Sequence, residues 1–307
     1  MPQIVSFDVP LATGTVPAAI NRSGAITGSY TDKTGNSHGF LRKRNGSFVQ
    51  FDVPNATNTI PVAINQRGQI TGSYTDASGA GAKGFLRRLQ GSIVTFALPN
   101  STQTVPTAIN AKGEITGNYG DASGPSHGFI RKANGSFVTF DLPNSTETAS
   151  NDMTPTGLTV GQWGDAGHHF HGFLRRKNSA VTTFDVPNSI STTAMALTPA
   201  ALVMGRYTDV NGQSQAFLRK PNGTIINITI PGATSVTAWA LNPAGKTVGV
   251  WADAAGLHSF LRSAAGAITP IDVPGATYTQ PVGLNAAGKI TGSYGDANSK
   301  SHGFLRS

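Results

Sequence analysis

Cysteine is absent from the chain. That excludes disulfides, thiolate nucleophiles and cysteine-bound metals. No run of eighteen apolar residues occurs, so no transmembrane helix is expected. The opening MPQIVSFDVP lacks the basic and apolar regions of a signal peptide. A cytosolic protein, or one already relieved of a leader, follows from that reading. Acidic residues are scarce, 15 in 307, which leaves little material for acid–base catalysis. No stretch has a helical period, and 37 glycines with 18 prolines would interrupt one. Without helices there is no phosphate-binding glycine loop opening a helix, and no G-x-S-x-G nucleophile elbow is found.

What is present is one unit written seven times. GSYTDKTGNSHGFLRKRNGSFVQFDVP shows it most clearly, and its closing proline recurs at Pro10, Pro54, Pro99, Pro143, Pro187, Pro231 and Pro274. A period near 44 residues marks a repeat architecture. Within it, VPAAIN is a short extended run, AITGSYTD is β-rich, and HGFLRK and SFVQFDVP follow polar turns. Four antiparallel strands in 44 residues make one β-propeller blade. The chain stops after a third strand, SHGFLRS, and begins with the missing fourth, QIVSFDVP. The expected fold is all-β: a seven-bladed propeller over residues 1–307, closed by pairing the N-terminal strand with the C-terminal blade.

The pattern INxxGxITGxYxDxxGxxHGFL resembles the HAF-type extracellular repeat of bacterial proteins, over nearly the whole chain. It departs by carrying His-Gly-Phe rather than His-Ala-Phe in most copies, and repeats four and five are degenerate. The resemblance implies an extracellular or cell-surface setting and says little about activity.

Seven stacked copies turn each repeated position into a ring. An Asp ring runs through Asp32, Asp76, Asp121, Asp165, Asp209, Asp253 and Asp296, with Tyr or Trp two residues before and Gly two before that. The third strand adds Phe40 and Arg42 with their equivalents, and a histidine at His38, His127, His171, His258 and His302, replaced by Lys83 and Gln215. A symmetric hairpin would place Asp32 opposite His38, Tyr30 opposite Phe40 and Gly28 opposite Arg42, all on one face. Sevenfold repetition favours a structural role for these rings: His donating to Asp, aromatics filling the space between blades, Gly leaving room for Arg. Five further carboxylates occupy the FDVP corner, so only Glu114, Glu147 and Asp152 fall outside the template.

Repeat four breaks the pattern, with Glu147 and Asp152 in the loop from the preceding blade and His168 and His169 beside Asp165 and His171. That cluster suits zinc or a similar metal. Otherwise no cofactor is expected. Its bland alternative is a solvated polar loop. In repeat five, MALTPAALVMGRYTD is either an apolar partner patch or drift. The inner strands should line the channel with small residues and with Asn21, Asn65, Asn110, Asn242 and Asn285, whose amides would meet sugar hydroxyls or water.

Charge is directional. Arg22, Arg67, Lys112, Lys246 and Lys289 lie in the first turns, and Lys43, Arg44, Arg88, Lys132, Arg176, Lys177 and Lys220 in the third turns, all at one end, with Glu114 the sole acid there. With a net charge of +8, the expectation is a basic face for an anionic polysaccharide or surface. Solubility alone is the competing account. Nucleic acid is disfavoured, since no exposed aromatic accompanies the turns; a monomer is expected. The alternative function is a hydrolase or lyase at the channel mouth near repeat four.

Overall fold

The computed structural model describes residues 3–307. Met1 and Pro2, part of the opening segment searched for a leader, lie outside the described residues. Each repeat becomes one four-stranded antiparallel sheet. Seven sheets use the twenty-eight strands of the described residues, from β1 (Ile4–Phe7) to β28 (Ser301–Arg306) in chain order. In blade one these are β2 (Gly14–Ile20), β3 (Ile26–Thr31), β4 (Ser37–Arg42) and β5 (Phe48–Phe51). The ring closes through β1, which pairs with β28 from Ile4 opposite Arg306 to Phe7 opposite Gly303.

The innermost strand of each blade carries a bulge where its register shifts, between Pro17 and Ala19 in blade one and at the equivalent place in the other six. Proline is tolerated there because an edge strand need not donate its N–H to a ladder. The bulge also explains the glycine ring. A Cβ on Gly28 would stand 2.1 Å from the carbonyl oxygen of Val16.

Between blades, the invariant Phe40, Phe85, Phe129, Phe173, Phe217, Phe260 and Phe304 are wholly buried. Six of the seven corners are pinned forward, as where the amide of Val9 donates to Thr15 Oγ1 of the next blade at 3.1 Å; the Ile230 corner meets Val236 instead. Amide Nδ2 groups extend the same linkage near the axis. Asn285 donates to the carbonyl of Asn21, Asn21 to that of Asn65, Asn65 to that of Asn110, and Asn110 to that of Thr154, at 3.0–3.2 Å. These asparagines are therefore committed blade to blade and nearly fully buried, not free in the channel for sugar hydroxyls.

The hairpin register differs from the symmetric expectation by two residues. Tyr30 faces His38, Gly28 faces Phe40 and Ile26 faces Arg42. The cause is Asp32, whose Oδ1 accepts the amides of Thr34 and Asn36 and draws the residue into the turn. A slip of two preserves the face, so the same side chains remain together with new partners. Tyr30 stacks on His38 at 5.1 Å rather than on Phe40. Arg42 does not fill space over glycine. Its guanidinium lies over Phe7 of the preceding blade, 4.8 Å from the ring centre. Four further blades repeat this contact.

Candidate functional site

At the Asp end, the histidine ring is a hydrogen-bond bridge. His38 reaches Asp32 through Nε2 at 3.2 Å and the corner Asp52 through Nδ1 at 3.0 Å. His171 repeats this with Asp165 and Asp185, and His302 with Asp296 and Asp8. Burial alone would lower the proton affinity of His38, but the two carboxylates outweigh it and the net direction is upward. Hydrogen bonds hold the Asp partners down. Lys83 is the chief cause for Asp76, and the amide of His169 for Asp165, both at about 2.

The corner carboxylate was the partner missed in the sequence, although the repeats encode it. All five copies with a corner Asp have the histidine; the two without it, at Ala97 and Thr229, have Lys83 and Gln215. Those replacements still donate to the loop Asp, at 2.7 and 3.4 Å. In blade six Asp272 instead accepts from Ser259. A pairing that recurs in this way is a blade frame, as expected of the rings.

In blade four, Glu147 and Asp152 are not in a loop. Both belong to β14 (Glu147–Met153), the innermost strand. They cap opposite ends of it, about 17 Å apart at the rise of an extended chain. His168 and His169 are exposed in the turn, His168 with a positive φ of 63°. His169 Nδ1 lies 3.6 Å and His171 Nε2 3.4 Å from Asp165 Oδ2. Among the described residues no group of three or more His, Asp or Glu side chains is arranged to hold a metal ion. Asp152 stands away from the histidines, near the opposite end of the ring.

There Asp152 occupies the position held by Ala19, Ala63, Ala108, Ala196, Ala240 and Gly283 in the other repeats. It borders an axial cavity of about 360 Å³ whose other lining residues are uncharged, Ile20, Ile64, Leu197 and Leu241 among them. Its Oδ1 accepts the amide of Met153 at 2.7 Å and its Oδ2 that of Leu197, in blade five, at 3.0 Å. By surface the residue is half-buried, yet channel wall encloses it, and that enclosure governs its protonation. Burial raises its pKa to about 6, the two amides opposing the rise.

At this same end the ten predicted basic residues, Arg22, Lys43, Arg44, Arg67, Arg88, Lys112, Lys132, Arg176, Lys177 and Lys220, are all exposed. Lys246 and Lys289 are half-buried beside them. Glu114, the one acid of these turns, accepts from Asn110 Nδ2 at 2.7 Å. The apolar stretch of repeat five is not a surface patch. Met204 and Leu197 are buried, and Met204 packs with Ala216, Leu218, Ile228 and Phe260.

No family model matches the chain, and no curated protein matches it. Solved structures share the fold. An acylaminoacyl peptidase of Pyrococcus horikoshii aligns with a TM-score of 0.67 at 12% identity, over 99% of this chain and 51% of that one. TolB from Acinetobacter baumannii aligns at 0.55 and 12% identity, over 100% and 97%. The Cps50 (Swd1) β-propeller domain of Myceliophthora thermophila aligns at 0.60 and 8%, over 99% of each. The chain spans about half the length of the acylaminoacyl peptidase and of a puromycin hydrolase it also matches. Identities this low establish the seven-bladed propeller, similar to those of peptidases and TolB, and nothing of activity.

Proposed function

We propose that this propeller is a non-catalytic binding module that holds an anionic polymer, an acidic glycan in the first instance, against its basic end. We also retain the HAF-type resemblance and the extracellular or cell-surface setting as parts of that reading. The observation that carries it is the one-sided exposure of ten Lys and Arg side chains, with Glu114 turned inward onto Asn110. Weak contacts spread around a ring reinforce one another through effective concentration, and exposed charges act together within about 10 Å at 0.1 M salt. Retention on immobilised polygalacturonate should fall steadily with salt. It should fall further when Lys43, Arg44, Arg176 and Lys177 are each changed to Glu. Absence of salt-sensitive binding to every polyanion tried would remove the reading.

A second reading, a hydrolase or lyase at the channel mouth near blade four, has one observation in its favour. Asp152 holds its proton up to about pH 6 beside a cavity, a range suited to a general acid. Glycoside hydrolysis by paired carboxylates places them about 5–10 Å apart, and Glu147 stands well beyond that. Oligosaccharide cleavage abolished by Asp152→Asn would favour this reading. A bound divalent metal lost in the His168→Ala, His169→Ala variant would instead point to a site at the other end of the ring, where those histidines stand. A metal-free protein without turnover would count against the enzyme reading.

A further inference from the structure

The basic end is not uniform. Between blades three and four it opens into a cavity of about 180 Å³, lined by the charged Lys112, Lys132, Lys177 and Arg175 and by the apolar Ile130, Val138 and Met153. Glu114 also borders it, with one carboxylate oxygen engaged by Asn110. The size is below that of pockets that enclose a drug-sized molecule, and suits one unit of a longer chain.

Two features distinguish this interface. The turn after β16 (Phe170–Arg175) carries Ser179 with φ of 69°, where the equivalent turns have Gly46, Gly91, Gly135, Gly223 and Gly266. A side chain in the left-handed region is strained, and strain of this sort collects at functional positions. Ser179 Oγ accepts from Arg175 Nη2 at 3.0 Å. Among the described residues no other member of the arginine ring has a side-chain acceptor for its guanidinium. The serine therefore adds a hydrogen bond to the nearly buried arginine at the cavity's edge, whose counterparts in glycine-turn blades are held over a Phe without a side-chain acceptor.

We infer that this cavity is the subsite for a single uronate unit of an acidic polysaccharide. The lysines and Arg175 meet its carboxylate, and Ile130, Val138 and Met153 lie against the C–H face of its ring. Arg, with its planar fork, suits a planar carboxylate. A phosphate polymer would leave the apolar wall without a partner. The subsite deepens the basic-end reading proposed above and stands only with it.

The test is calorimetric titration with tetragalacturonate, with inorganic tetraphosphate as the competing probe. Three variants are compared: Lys112→Glu with Lys177→Glu at the cavity, Lys43→Glu with Lys220→Glu remote from it, and Ser179→Gly. The two double variants change net charge equally, so a diffuse field would weaken binding equally. A subsite predicts a loss of about thirtyfold for the cavity pair, at most about threefold for the remote pair, and about threefold for Ser179→Gly. Ser179→Gly relieves the positive φ, so its fold is safe and its loss is attributable to the lost Oγ. Equal losses from both pairs overturn the subsite while leaving the basic-end reading intact. Tighter binding of tetraphosphate than of tetragalacturonate overturns the uronate assignment. No binding of either probe at low salt overturns the basic-end reading and the subsite with it.

Discussion

Blades seven, one, two and three are braced internally in a different way from blades four, five and six. In the first group a buried threonine, Thr291, Thr27, Thr71 or Thr116, donates to the carbonyl of the invariant Phe. Val160, Met204 and Val248 stand there in the second group and are wholly buried. The axial amide chain runs from Asn242 of blade six through Asn285 to the carbonyl of Thr154, and then lapses because Thr154 and Thr198 replace asparagine. Asp152 crosses the gap, reaching the amide of Leu197 from blade four. One half thus ties its two middle strands with an extra buried polar bond where the other uses apolar packing, while polar contacts cross between blades in both. The same backbone geometry tolerates both, provided that each buried polar group finds a partner.

The largest effect should come from breaking the apolar half. Met204→Ala removes a fully buried side chain from the blade-five core and should cost about 4 kcal/mol in urea unfolding.

Next is Asp152. Its folded pKa of about 6 lies above the unfolded 3.8, so the folded state binds more protons between those values. Stability at this residue is highest below about pH 4, declines as pH rises through about 6, and is level above. Asp152→Asn should therefore stabilise the protein by up to about 3 kcal/mol at pH 8, a gain that vanishes below pH 4. Asp76 and Asp165, at about 2, have the opposite sign. Their contribution is present above the unfolded value and is lost as pH falls through about 2. Unfolding midpoints from pH 3 to 8 for the two proteins separate these limbs.

On the polar half, Asn65→Ala removes the donor to the carbonyl of Asn110 and the acceptor of the Arg67 and Gln69 amides. A loss of about 2 kcal/mol is expected. The complementary change, Thr154→Asn, should extend the amide chain toward blade five and gain about 0.5–1 kcal/mol, read in the same assay. The smallest effect belongs to the His frame. A double-mutant cycle on His38 and Asp52, both partly exposed, should give a coupling of about 0.5 kcal/mol.

The ring and its closure were legible in the sequence because a strict period fixes strand count, and because QIVSFDVP supplies what SHGFLRS lacks. The hairpin register was not, because Asp32 fits either the last ladder pair or the turn, and only its bonds to Thr34 and Asn36 decide. The basic end was legible, since turns alternate between the two ends of a blade whatever the register. Interblade contacts were harder to see. The partner of Arg42 is Phe7, distant in sequence and joined to it only by closure. Asp152 was visible as a stray acid, but its place on the channel wall depended on counting β14 from the bulge rather than from the preceding loop.

Hydrogen exchange measured with and without saturating polygalacturonate tests the binding account most directly. Protection is predicted in the turns bearing Lys43, Lys112, Lys132 and Lys177, greatest between blades three and four, and lost at high salt. Protection at the Asp32–Asn36 end, or none at either end, would contradict it.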